Sequence, residues 1–206
     1  MRYYTARQVI HDAFMPDVTS IDISAMILEF GVQFTAKGGD RKTMTHCGKG
    51  IIQQALEVQR SRDELSWAWN MFAYAPVGMV PTQARSVVLR WMMCRLAAEE
   101  GGGVLHSVLP ALARIAMHDV ALQDTLGKRR RRRHADLARA VGLDEDDYKN
   151  NWHRYYVRFR GYCLGLPERS LPPIASVVWM MLDKREGRDV TDELGRALKM
   201  PVDSVL

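Results

Sequence analysis

Six consecutive cationic side chains, Lys128, Arg129, Arg130, Arg131, Arg132 and Arg133, prescribe a chemistry more plainly than anything else in the sequence. A guanidinium presents a fixed fork of donors that matches phosphate bidentately, so such a run suits a polyanion. The alternative is a solvated linker without a partner; five adjacent arginines favour contact with nucleic acid over it. An arginine-rich stretch also suits RNA, so the run alone leaves DNA and RNA open. The chain carries 29 Lys and Arg against 24 Asp and Glu, a formal net charge of +5. Residues 128–160 hold eleven of those cations against five acids, a net +6 that leaves −1 on the remaining chain. The basicity is local, as on a binding surface.

The residues that follow read as a helix-turn-helix. A first helix over about residues 135–141 turns Leu137 and Ala138 inward, and Ala138 is small enough for two helices to cross. Gly142 suits the left-handed conformation that ends a helix. Leu143 plugs the turn, and Asp144 can cap the next helix, whose positive end favours Glu145, Asp146 and Asp147. In the second helix Tyr148, Trp152, Tyr155, Tyr156 and Phe159 fall on one apolar face, with Trp152 as the buried anchor. The opposite face carries Lys149, Asn150, His153, Arg154 and Arg158, donors suited to base edges and phosphates. Four acids at the start of that helix oppose phosphate, and Asn151 stands where simple repressors bury an aliphatic residue. An ordinary helical hairpin with a solvated charged face is the competing reading.

The Ala138–Gly142–Leu143 turn and the helix after it resemble sigma-factor region-4-like modules, in particular those of phage late-gene antitermination proteins of the Q type. The resemblance covers about residues 133–160. In that group the buried contact of the recognition helix sits one position later than in classical repressors, which matches Trp152. The resemblance implies a protein that binds DNA near a late promoter and loads onto RNA polymerase, making it ignore pauses and terminators. Some Q-type proteins carry a zinc motif, which this chain lacks.

Catalytic and metal chemistry find little support. There is no G-x-S-x-G and no phosphate loop, and the glycines at 101–103 read as a break between helices. His11-Asp12 and His118-Asp119 are sequence neighbours expected as surface pairs. His46-Cys47 is read as a loop pair before a helix rather than a metal site. Cys47, Cys94 and Cys163 are odd in number and far apart, against a disulfide framework. No catalytic residue, cofactor or metal is expected.

The elements that must position the basic segment are helical throughout. Apolar residues recur at helical spacing around 9–14, 21–34, 51–58, 65–72, 84–96 and 104–122, and no strand alternation of useful length occurs. Leu164 to Pro167 reads as a loop, Pro172-Pro173 as the opening of a helix through Leu182, and 191–199 as a last helix. The fold expected is all-α: a helical body over residues 1–126 and a helix-turn-helix region with packing helices over 127–206. Hydrophobic residues make up 47% and charged residues 26%, the balance of a folded protein rather than a disordered one. No apolar run approaches membrane-spanning length, and Arg7, His11 and Asp12 interrupt any signal peptide, so a cytoplasmic protein is expected. The function expected is transcription antitermination through DNA and RNA polymerase. The alternatives are a helix-turn-helix repressor or activator, or an RNA-binding or inhibitory module that uses the arginine run.

Overall fold

The structure is a computed structural model that describes residues 6–15, 46–101, 106–126 and 132–185, with 46–48, 126 and 181–185 by backbone alone. The helices expected over 21–34 and 191–199, and residues 128–131 of the basic run, lie outside the described residues. Every regular element described is helical: α1 (Ala6–Phe14), α2 (His46–Arg62), α3 (Glu64–Tyr74), α4 (Thr82–Glu99), α5 (Val108–Leu126), α6 (His134–Val141), α7 (Glu145–Asp147), a π-helical turn (Tyr148–Trp152), α8 (His153–Leu164) and α9 (Leu166–Arg185). None of these helices is long and apolar enough to cross a membrane.

The centre of the packing is α3. Its residues Ser66 to Phe72 are buried consecutively, together with Tyr74, so the helix has no wet side and must be wrapped by its neighbours. It packs against α1, α2, α4, α5 and α9. Asp63 starts it: its carboxylate accepts the Ser66 amide at 3.2 Å and the Ser66 hydroxyl at 2.6 Å. Burial pulls the Asp63 carboxyl up, but Ser66 and the Arg169 guanidinium at 2.9 Å outweigh it and hold it below the usual range.

Two boundaries differ from the sequence expectation. His46-Cys47 opens α2 instead of preceding it. The loop expected at 164–167 shrinks to Gly165, and α9 begins at Leu166 and runs through Pro172 and Pro173, which were expected to open it. Prolines there remove two amide donors from the helix. Next to them, Gln59 Nε2 and Asn70 Nδ2 both donate to the buried Ser170 carbonyl, at 2.8 and 2.9 Å, which fastens this part of α9 to α2 and α3. Asn70 Nδ2 also donates to Gln59 Oε1 at 2.9 Å.

The helix that ties the described parts together is α5, through two aspartates. Asp124 accepts Arg7 Nε at 2.7 Å and the Tyr74 hydroxyl at 2.5 Å, joining α1 and α3. Asp119 accepts Arg132 Nε at 2.8 Å and the Tyr156 hydroxyl at 2.8 Å, joining the basic run and α8. Asp119 is 0% exposed, which corrects the expected surface pair with His118. His118 does reach the surface, because the two neighbours point away from each other on the helix. The core is continuous from α1 to α9, without a break between residues before and after 127.

The unequal burial of this ion pair fixes the order of two mutational effects. Arg132 is 25% exposed at its side chain and Asp119 is not exposed at all. Arg132→Gln strands a buried carboxylate and should cost about 3–5 kcal/mol. Asp119→Asn leaves a guanidinium that can turn to water and should cost less, about 1.5–3 kcal/mol. Urea unfolding of the two variants checks the order, and the reverse order would remove Asp119 as the anchoring charge.

Candidate nucleic-acid interface

The turn between α6 and α7 follows from its residues. Gly142 adopts φ 74°, and Leu143 N–H donates to Ala138 O at 3.0 Å across it, which closes the end of α6. Leu137 and Ala138 are buried and Leu143 packs against the core. Asp144 caps the next helix by accepting the amides of Asp146 and Asp147 at 2.6 and 3.1 Å.

The continuation departs from a regular helix. His153 N–H donates to Tyr148 O, five residues back, so 148–152 form a π turn. The extra residue lets the two sides of the turn address different neighbours. Before it, Tyr148 closes toward α6, with the His134 ring at 6.0 Å. After it, Tyr155, Tyr156, Phe159, Tyr162 and Cys163 form the buried face of α8, which packs on α5 more extensively than any other two described helices pack.

This turn reassigns the anchor. Tyr148 is fully buried, whereas Trp152 is half-buried and rests on His106 at 4.4 Å and on Tyr155 at 5.9 Å. His153, expected on the outer face, is also half-buried: its ring lies 4.4 Å from His134, and Nδ1 is 3.2 Å from the Tyr148 hydroxyl. Burial, then the neighbouring His134, pushes its pKa down. Burial, then Tyr156, pushes the Tyr148 hydroxyl up.

Of the remaining expected residues Arg132 is half-buried, while Arg133, Lys149, Asn150, Arg154 and Arg158 are exposed, Arg133 and Arg158 in ion pairs. Arg132 is committed to Asp119, which raises its pKa against the opposing pull of burial. Arg158 is committed to Glu100 at the end of α4, next to the Tyr162–Glu99 hydrogen bond. Arg133 is exposed and pairs with Asp136 at 3.1 Å. Lys149, Asn150 and Arg154 are exposed, and Arg154 lies over the Tyr155 ring at 4.7 Å. Asn151 turns its amide to Asp147 at 2.7 Å.

Sequence reading missed the burial of Asp119 and its ion pair with Arg132, the hydrogen bond that Tyr156 gives it, and the contact of His134 with His153. A signal for Asp119 was present, since Leu112, Ala116 and Asp119 follow the i, i+4, i+7 spacing of a buried stripe. Compared with protein-family models, curated proteins and solved structures, the chain matches none.

Two expectations follow. Tyr148→Ala should cost about 3–5 kcal/mol, as for a buried aromatic, and Trp152→Ala roughly half that. Thermal or urea unfolding reads both, and a larger destabilisation at Trp152 would contradict the anchor assigned by the π turn. The second concerns pH. A histidine whose folded pKa is depressed binds fewer protons than in the unfolded chain, so its contribution to stability falls away as pH drops through the ordinary value near 6.5 toward the folded one. Wild-type stability should therefore drop between about pH 7 and pH 5, by at most about 1.4 kcal/mol per pH unit per proton. His153→Gln should flatten that slope. An unchanged slope would show that His153 does not titrate differently on folding.

Proposed function

We propose that this chain binds DNA through α6, the π turn and α8 together with the basic run, and acts as a transcription antitermination factor on RNA polymerase. The observation that carries the binding reading is a two-helix unit with one side closed and with cationic and amide donors exposed, although Asp144, Glu145 and Asp146 are exposed on it too. Its aromatic side is buried against α5, while Arg133, Arg139, Lys149, Asn150 and Arg154 stay exposed. An exposed, unburied face of that composition is what phosphate positioning and base readout require. The polymerase reading rests on the resemblance of the Ala138–Gly142–Leu143 turn to Q-type modules. The helices outside α6 to α8 give it further room, since they exceed what a minimal DNA-binding unit needs.

Because Arg132 serves the core, the test leaves it in place. Changing Arg129, Arg130, Arg131 and Arg133 to Gln should preserve the melting temperature and weaken binding to every duplex. It should flatten the slope of log K against log salt by up to about 0.9 for each phosphate that is no longer neutralised. Single-round transcription across a downstream terminator then tests mechanism, on templates with and without the binding site. Site-dependent readthrough supports antitermination. A change in initiation alone would replace it with a repressor or activator, and tighter binding to RNA than to duplex would move the arginine run to RNA.

A further inference from the structure

A cavity of about 260 Å³ opens between α3, α4 and α5, and none of its lining residues belongs to α6, the π turn or α8. Its lining is divided in character. Phe72, Leu89 and Met117 form an apolar floor, and Arg85, Arg114 and His118 stand around it. The Phe72 and His118 rings meet edge to face at 5.0 Å, which joins the floor to the cationic rim. Among the described residues no carboxylate lines the cavity, and neither arginine forms an ion pair with a described residue. Elsewhere in the described structure arginines are regularly engaged by acids: Arg7 by Asp124, Arg132 by Asp119, Arg158 by Glu100 and Arg169 by Asp63. Two arginines on one cavity without an acid in its lining are the groups an anion would meet there, and guanidinium pairs suit the oxygens of a phosphate.

The size and floor narrow the ligand. The cavity is smaller than the roughly 300–1,000 Å³ typical of sites for drug-sized molecules. It holds part of one mononucleotide-sized unit, the rest left at its open mouth, and not an extended cofactor. A bare phosphate would leave the apolar floor unused, whereas an attached planar ring would cover Phe72 and Met117. We propose that this cavity binds a phosphomonoester carrying an aromatic ring, as in a nucleoside monophosphate or the 5′-phosphorylated end of an oligonucleotide. Arg85 and Arg114 clamp the phosphate, and the floor receives the ring. The field at His118 agrees with this arrangement. Burial, then Arg85, holds its imidazole below the ordinary value, with Arg132 adding to the positive side and Asp119 opposing. The site is independent of the DNA surface proposed above and stands or falls separately.

Titration calorimetry on the whole chain tests it with adenosine monophosphate, inorganic phosphate and adenosine. The monophosphate should bind more tightly than either fragment. Arg85 and Arg114 are exposed on their helices, so Arg85→Gln with Arg114→Gln should leave the melting temperature unchanged. That variant should weaken monophosphate binding at least about tenfold, which corresponds to about 1.4 kcal/mol. A 5′-phosphorylated dinucleotide and its unphosphorylated form separate the two sources. Preference for the phosphorylated dinucleotide over the free monophosphate assigns the site to a nucleic-acid end, and the opposite preference assigns it to a free nucleotide. Absence of monophosphate binding at millimolar concentration, or binding that the double variant leaves intact, would overturn the proposal. Duplex affinity of the same variant should stay at the wild-type level; a parallel weakening would merge this cavity with the α6–α8 surface and end its independence.

Discussion

A carboxylate without solvent holds this molecule in register. Asp119 sits on a helix otherwise apolar along that stripe, and a charge there is tolerated only when it is fully coordinated. Arg132 supplies the countercharge through Nε, and the Tyr156 hydroxyl supplies a further donor to the same oxygen at 2.8 Å. The geometry has two effects at once. It fixes the start of the segment that leads into α6, and it ties α8 to α5 through Tyr156. One arginine of a run that looks uniform in sequence thereby serves the architecture, while its neighbour Arg133 remains at the surface.

Helix type and much of the packing were legible in the sequence because they depend on local, periodic information. The consecutive burial of Trp67, Ala68, Trp69 and Met71 follows from an apolar stretch with almost no polar interruption. Gly142 and Asp144 act through their own backbone and side chain within a few residues, so the turn and cap could be read directly. The face formed by Tyr155, Tyr156 and Phe159 obeyed ordinary helical spacing.

What was not legible depends on partners distant in sequence. The spacing of Leu112, Ala116 and Asp119 puts that carboxylate on a buried stripe, but the groups that neutralise it are visible only when Tyr156 and Arg132 are brought to it. The π turn is a second case. Counting by regular helical spacing put Trp152 at the anchor and His153 in solvent, and one wide turn moved Tyr148 into the first role and drew His153 inward. The prolines of α9 are a third. Their local preference is for a helix start, but α9 runs on through them, in a stretch fastened to α2 and α3 by the amides of Gln59 and Asn70 on the Ser170 carbonyl. In each case an interaction across the fold outweighed a local preference.

The pairing of Asp119 and Asp124 on one helix also bears on how the chain comes apart. Arg7 and Arg132 are separated by most of the described sequence, yet each is fastened to α5 within two turns of the other. A stretch of chain cleaved near residue 127 would carry α8 away without the carboxylate and apolar surface that complete it. Its tyrosines would then face water, and the matching groove on α5 would lie bare. The two halves are therefore members of one foldon, and amides of α8 and α3 should exchange with deuterium through a shared opening rather than in separate stages.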